Sequence, residues 1–528
     1  MHFGEIQRIM RYFNVSGPCF KDVHYMIEAA TRLRGVELLI DMDQYFVIHA
    51  ARQSGKTTYL KDLANRLNDG GKYYCAYCSL ETLQGINDPE KGIPEIVLRI
   101  KNSLETYKLP EYENFAINAD FNNFTLVLQS ELSKYCTILD KPLVILFDEA
   151  DCLSNGTLIA FMRQLRNGYI DRDRTKFVKS VALVGMRNIR DYKAKIRPDN
   201  ETLGSASPFN IVTKALTLTN FTKEEIIDLY AQHTTECGQI FEPEAVELVW
   251  EKTQGQPWLV NAIAREVIFD LLDLDYTKPV TAELCGQAIQ NIILRRDVHI
   301  DSLLERLKEP RVRHVIDPVI AGEFVSTVTD DFSYTKDLGL IRETASKKIE
   351  PANPIYAEVI VRMLNSDTQD SIVRNNDKAQ MPRYLKDGRI DMDFLLRDFQ
   401  QFWRENSAIW EERYQYKEAA PHLILMAFLQ RVINGGGQII REMVADTGRL
   451  DLCVIYQNQK YPIELKILRG DKTLVRGLEQ TADYMDVFGV KEGWLCIFDR
   501  NPEKTWDEKI YMKKEKTCDE KMITVVGL

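Results

Sequence analysis

Two clusters in this sequence have residue types and spacings that could do chemistry. The first is His49-Ala50-Ala51-Arg52-Gln53-Ser54-Gly55-Lys56-Thr57-Thr58, which follows the apolar run Tyr45-Phe46-Val47-Ile48 and precedes a helical pattern through Leu60, Leu63 and Leu67. A strand, a tight loop and a helix opening on Gly-Lys-Thr is the layout of a phosphate-binding loop. Ala50, Arg52, Gln53, Ser54, Gly55, Lys56, Thr57 and Thr58 are expected to wrap the phosphates. Backbone N–H groups curl around the β-phosphate, Lys56 reaches the β/γ oxygens and the Thr57 hydroxyl serves Mg²⁺. Ala50 stands where this pattern usually has its first glycine, so the loop keeps a small residue but loses glycine's backbone freedom. The second cluster is an acid, Asp451, then twelve residues, then Glu464-Leu465-Lys466. Side chains repeat every two residues in a strand, so Glu464 and Lys466 share a face that Asp451 on the adjacent strand can join. A hairpin with cross-strand charges on a solvent face is the plainer account of the same residues.

A phosphate loop needs acids across the cleft, and Pro142 to Asp151 supplies them: five apolar residues, then Asp148-Glu149-Ala150-Asp151. That describes a strand buried on both faces with carboxylates at its C-terminal edge, where open α/β sheets bind ligands. Asp148 is suited to hold the Mg²⁺ shell and Glu149 to orient and deprotonate an attacking water. A further strand, Ser180 to Val184, runs into Gly185-Met186-Arg187, and Arg187 is the residue expected to sense a γ-phosphate. Phe221-Thr222-Lys223-Glu224-Glu225 reads as a capped helix start. Thr253 to Asn261 reads as a helix–turn–helix junction around Gly255-Gln256-Pro257. Upstream, a helix is expected around Val23 to Leu33.

Taken together, the Ala-Arg-Gln-Ser-Gly-Lys-Thr loop, the Leu-Phe-Asp-Glu-Ala-Asp strand, Arg187 and the Gly-x-Pro turn resemble the AAA-like signal-transduction and archaeal-type P-loop ATPases over roughly residues 10–365. The resemblance implies that Pro257 touches the adenine of ATP and reports nucleotide state to a winged helix. Residues 290–365 suit that domain, with a helix ending in Leu338-Gly339-Leu340-Ile341 and then a short polar hairpin. Arg295, Arg296, Arg311 and Arg313 are the arginine-finger candidates. Polar, turn-rich sequence around residues 365–382 reads as a linker.

Beyond it come a Trp- and Tyr-bearing helical region, an apolar helix from His422 to Leu429, and strands at 439–444, 449–455 and 461–467. With its acid and Glu-x-Lys, the stretch 385–528 resembles the PD-(D/E)xK nuclease fold. That resemblance implies that Asp451 and Glu464 bind Mg²⁺ or Mn²⁺, which polarises the scissile phosphate and generates hydroxide, while Lys466 stabilises charge. Leu450 replaces the proline before the acid. Glu418 matches the extra helix acid, and Gln480, one helical turn from Tyr484, matches the Gln-x-x-x-Tyr element.

The expected fold class is therefore α/β: a P-loop ATPase core with a parallel sheet (1–220), a helical lid (221–290), a winged-helix-like relay (291–370), a linker (371–390) and a C-terminal restriction-endonuclease-like domain (391–528). The expected cofactors are ATP and Mg²⁺ or Mn²⁺ at both sites. Expected function is ATP-dependent or ATP-regulated DNA cleavage, with defence against foreign DNA suggested by family analogy. The alternative is a nucleotide-switched scaffold whose nuclease-fold domain only binds nucleic acid or a partner. DNA is the expected partner, with a homo-oligomer and a protein trigger left open.

The chain has 528 residues, 45% hydrophobic and 28% charged, long enough for several cores and without a membrane-spanning apolar run. No secretory pattern opens it, so a cytoplasmic protein is expected. Its ten cysteines, including Cys75 and Cys78 in a strand-like run, are read as reduced thiols rather than zinc ligands or disulfides. A net charge of −10 argues against coating DNA with the whole surface but not against a local basic groove.

Overall fold

The computed structural model describes residues 10–28, 32–153, 155–185, 211–295, 298–321, 325–360, 363, 381–413, 424–426, 428–429, 437–445, 448–468, 470, 472–499, 501, 503–516 and 521–528. Two compact units emerge: residues 1–315 with 326–356, and residues 316–325 with 357–528.

The first unit is built on a five-stranded parallel sheet. In chain order its elements begin with α1 (Val36–Asp41), β1 (Tyr45–His49), α2 (Lys56–Asp69), β2 (Tyr74–Ser79), α3 (Pro89–Thr106), α4 (Val127–Ile138), β3 (Leu143–Asp148), α5 (Asn155–Ile170), β4 (Ser180–Gly185) and β5 (Val212–Thr217). The spatial order is β2-β3-β4-β1-β5. β1, β3 and β4 are buried at every position, as the unbroken apolar runs require of strands covered on both faces. One core gathers Tyr45, Val47, Ile145 and Phe147 with α3, α4 and α5. The opposite core gathers Phe46, Ile48, Val144 and Leu146 with α1 and α2. Alternation along each strand thus feeds both layers.

The edge strand β2 is closed by side chains. Asn68 accepts from the Cys75 N–H and donates to its carbonyl, both at 2.9 Å, and the Ser103 hydroxyl donates to the Tyr77 carbonyl. Those groups are thereby withdrawn from pairing with another chain.

Helices follow: α6 (Lys223–Cys237), α7 (Pro243–Thr253), α8 (Pro257–Arg265), α9 (Ala282–Arg295), α10 (Val298–Leu307), α11 (Pro310–Ala321) and α12 (Asp330–Asp337), then the hairpin β6 (Ile341–Glu343) and β7 (Ile349–Pro351). The Thr222–Glu225 capping box expected at the start of α6 is present in both directions. The turn between α7 and α8 also forms. There Gly255 has φ 72°, and a Cβ on it would lie 1.9 Å from the Phe221 carbonyl oxygen. No other residue fits, because the Phe221 N–H donates to the Gly255 carbonyl at 2.8 Å.

Among the described residues, the helix expected around Val23 to Leu33 is not seen. Around Val23, the described residues make a turn and a bridge pairing His24 with Tyr12, and the first helix begins only at Val36. His24 and Tyr25 are buried against Tyr12 and Phe13, so aromatic packing overrode local helical spacing.

The second unit carries a small hairpin, β8 (Leu385–Lys386) with β9 (Arg389–Ile390), the long helix α13 (Met392–Arg413), and a six-stranded mixed sheet. Its strands are β10 (Gly437–Ala445), β11 (Gly448–Tyr456), β12 (Gln459–Ile467), β13 (Glu492–Phe498), β14 (Met512–Lys516) and β15 (Met522–Gly527), in the order β10-β11-β12-β13-β15-β14. β10 to β12 form an antiparallel meander. The helix α14 (Lys472–Phe488) then crosses over so that β13 runs parallel to β12. Its apolar face covers Leu495, Ile497, Ile523 and Val525.

Candidate functional site

The phosphate-binding layout becomes a cleft at the C-terminal ends of β1 and β3, which β4 separates. Gly55 caps the start of α2 with φ 90°, which turns the chain sharply enough for the first amides of α2 to face the loop. Lys56 is 7% exposed. Its Nζ donates to the carbonyls of Ala50 and Ala51, each at 3.0 Å, so it lies across the loop. Burial lowers its pKa, opposed by Glu149 and Asp148. Ala50 is buried.

Across the cleft, Asp148 is 1% exposed and accepts from the Thr57 hydroxyl at 2.6 Å and the Tyr77 hydroxyl at 3.1 Å. A hydroxyl and a carboxylate in contact are hard oxygen donors of the kind Mg²⁺ takes. Glu149 sits in the left-handed region at φ 53°, its N–H donating to Asp148 Oδ1 at 3.0 Å. Burial first, and then Asp151, pushes its carboxyl up to about 7, the range a general base needs at neutral pH. The cavity between these groups has a volume of about 770 Å³ and is also lined by Arg52, Gln53, Thr58 and Pro257. Ser54 is buried in the loop. Arg187 lies outside the described residues.

Several side chains at this site were not expected from the sequence. Arg32 donates to the Ser54 carbonyl at 2.9 Å and the Thr219 carbonyl at 3.1 Å, and it stacks 4.8 Å from the centroid of Phe221. It therefore braces the phosphate loop from within the cleft, and burial lowers its pKa to about 10. Tyr77 could have been found from register, since Ser79 pairs with Asp148 and Tyr77 lies two residues back on the same face. Arg306 lines the cleft while donating to Glu309 at 2.7 Å. Among the arginine-finger candidates, Arg295 pairs with Glu266, and Arg311 lies 3.3 Å from Asp331 and over the Tyr334 ring. Arg313 is on α11, and Arg296 lies outside the described residues.

The outer face of the loop is held by the segment that follows α9. Arg52 donates to Ser302 at 2.8 Å, His49 lies 3.5 Å from Asp337, and Gly339 abuts the Ala51 Cβ so closely that a side chain there would collide at 2.4 Å. On the far wall, Trp258 stacks on His299 at 4.6 Å and donates to the Val15 carbonyl at 2.8 Å. Burial drives the His299 imidazole well below its usual value, to about 3, so it stays neutral.

In the second unit, Glu464 is 1% exposed, with Lys466 bonded to it from two residues along β12. Leu452 pairs with Ile463, which makes Asp451 and Glu464 the next positions in that register. The side chain of Asp451 and all of Glu418 lie outside the described residues. Gln480 is exposed on α14, while Tyr484, one turn on, is buried with Cys453. Among the described residues, no group of three or more His, Cys, Asp or Glu side chains is arranged to hold a metal ion, and no helix is long and apolar enough to cross a membrane. Cysteines 75 and 78 are buried free thiols.

A parallel sheet with a lysine-bearing loop facing a buried aspartate and a glutamate defines a P-loop protein. The AAA-like domain family matches residues 25–359, and the chain belongs to that family. Among solved structures it is similar to the Walker-type ATPase of Pyrococcus abyssi, with 14% identity, a TM-score of 0.45, and coverage of 66% of this chain and 99% of that one. It is also similar to the ORC2 protein of Aeropyrum pernix, solved as ADPNP–ADP complexes (14% identity, TM-score 0.35, 64% and 92% covered). A third likeness is the RuvB Holliday-junction branch-migration motor of Thermotoga maritima (13% identity, TM-score 0.33, 63% and 92% covered). No curated protein matches.

Proposed function

We propose that this chain is an ATPase whose nucleotide state governs a metal-dependent DNA nuclease on the same chain. The observation that carries the ATPase is the convergence of Lys56 and Thr57 at the start of α2 with Asp148 and Glu149 at the end of β3 on one cleft. Lys56 neutralises β- and γ-phosphate charge once a nucleotide replaces the carbonyls it now contacts. Thr57 and Asp148 would hold Mg²⁺, which when bound draws charge off the phosphate oxygens. Glu149 takes a proton from the attacking water, and Pro257 with Trp258 walls the base. Arg187 is retained as the γ-phosphate sensor.

The nuclease reading is supported by an antiparallel meander, a crossover helix and a parallel strand, with Glu464 and Lys466 on one face next to the Asp451 position. Asp451 and Glu464 would hold the divalent ion that activates water there, with Lys466 countering developing charge and Glu418 and Gln480 assisting. On this reading residues 1–220 are the ATPase core, 221–290 a lid, 291–370 a relay, 371–390 a linker and 391–528 the nuclease. The contacts of Arg52, His49 and Ala51 with Ser302, Asp337 and Gly339 give the relay something to sense. A switch also requires that ATP bind its two conformations with different affinity.

The test is cleavage of plasmid and linear DNA with and without Mg²⁺ or Mn²⁺, in ATP, ADP or no nucleotide, by wild type, Glu149→Gln and Asp451→Ala. Cleavage that needs metal, changes in Glu149→Gln and vanishes in Asp451→Ala while ATP turnover persists is the expected result. Intact ATP turnover with no cleavage under any condition would leave a nucleotide-switched scaffold instead.

A further inference from the structure

Asp148 ends β3 with both carboxylate oxygens engaged. Oδ1 accepts from the Glu149 N–H at 3.0 Å, and Oδ2 accepts from the Thr57 hydroxyl at 2.6 Å and the Tyr77 hydroxyl at 3.1 Å. An ionised carboxylate has no proton to give, so both hydroxyls donate. The three donors stand differently toward a bound metal. The Glu149 amide is backbone, and the Thr57 oxygen is a hard donor that a divalent ion would itself take up. Tyr77 is the side chain that holds Asp148 from outside that set: it lines the cavity along β2, with Lys61 and Asn102, rather than the nucleotide cavity.

Its reach follows from the sheet. β2 runs parallel to β3 with Ser79 paired to Asp148, and Tyr77, paired to Leu146, lies one side-chain repeat back on the same face. That repeat is about 7 Å of strand, a span that a phenol covers and the shorter hydroxyl side chains do not. The ring is held in place meanwhile. It packs on the core that contains Leu60, Cys75 and Leu146, and the Lys61 ammonium lies 5.4 Å from its centroid. A donor carried on a ring locked by packing fixes the orientation of whatever it bonds.

We propose that Tyr77 is a positioning residue for the divalent ion that accompanies the nucleotide, acting by fixing the plane of the Asp148 carboxylate. This rests on the ATPase reading of the loop. Thr57 belongs to the helix start that meets the nucleotide, so its bond to Oδ2 is subject to whatever the metal asks of the hydroxyl. The Tyr77 bond, made from the neighbouring strand, is not. Without it, Oδ2 depends on Thr57 alone, and a carboxylate free to turn presents its oxygens in more than one orientation. Hydrogen bonds that orient a metal's ligands are worth about 10- to 100-fold in metal affinity. No proton transfer is asked of Tyr77.

The test separates metal binding from nucleotide binding. Mn²⁺ binding to the ADP-loaded protein is measured by electron paramagnetic resonance, and ADP binding in EDTA by calorimetry, for wild type, Tyr77→Phe and Tyr77→Met. Tyr77→Phe removes one oxygen and keeps the ring on its core. Tyr77→Met keeps apolar bulk without a donor and gives the same readout if Tyr77→Phe is unstable. Either variant is expected to bind Mn²⁺ about tenfold or more weakly than wild type, with ADP affinity in EDTA unchanged. Mn²⁺ affinity equal to wild type overturns the inference while leaving the phosphate loop intact. An equal loss of ADP affinity in EDTA also overturns it, since the effect then lies on the loop and not on the metal. If wild type binds no ADP with or without metal, the ATPase reading fails and the inference falls with it.

Discussion

The two sheets each bring a carboxylate and a lysine together at a strand end, but they do so by different routes. In the first unit Lys56 comes from a helix start, Asp148 and Glu149 from the end of β3, and Tyr77, bonded to Asp148, from the edge strand, so three segments far apart in sequence meet at one site. In the second, Glu464 and Lys466 are two residues apart on one strand and bond each other directly. Alternation alone produces such a pair in any strand with that sequence, whereas the first arrangement requires the whole sheet. The lesson is that convergence from separate elements carries the functional argument, and a local pair needs the surrounding topology to lend it weight.

The largest expected effect tests the convergent site. Lys56→Ala should lower ATP turnover by about 10²–10³-fold, the scale of removing one group that stabilises transition-state charge. Turnover near wild type in a coupled phosphate-release assay would sink the assignment. For the local pair, Asp451→Ala and Glu464→Ala should abolish DNA cleavage together with Mn²⁺ binding, while Lys466→Ala should abolish cleavage with Mn²⁺ still bound. The roles differ because carboxylates ligate hard cations and an ammonium cannot. Metal titration of each variant decides whether the pair is a site or a surface ornament.

Glu149 gives an intermediate test through pH. Its carboxyl is raised to about 7 and acts as a base only when ionised, so ATP turnover should climb with pH through about 7 and then level. Glu149→Gln should retain nucleotide binding and lose turnover. There is also a stability consequence. A carboxyl that holds its proton more tightly folded than unfolded favours the native state at low pH, and that contribution is lost as pH rises toward 7. The stability of wild type to denaturant should therefore fall relative to Glu149→Gln between about pH 4.5 and about pH 7. Identical pH profiles for the two proteins would show that Glu149 titrates normally.

Gly255→Ala should destabilise the first unit by a few kcal/mol, since a Cβ there has no room and φ is positive. The smallest expected effect is Thr222→Ala, about 1 kcal/mol from loss of an N-cap, with no change in ATP affinity. A thermal melt of both variants ranks them.

Much of this was legible in the chain. Apolar runs ending in acids, the Gly-Lys-Thr helix start, the Thr222–Glu225 cap, the Gly-x-Pro turn and the three alternating strands before Gln480 are local patterns, and local patterns follow from backbone sterics and side-chain period. The sequence alone therefore determined where the loop, the acid-bearing strand and the antiparallel meander lie. It did not determine that residues 23–28 would forgo a helix to bury His24 and Tyr25, that Arg32 would brace Ser54, or that Tyr77 would share Asp148 with Thr57. Each of those depends on which distant segment lies alongside. That is decided by the burial of apolar surface across the whole sheet, which no short window of sequence contains.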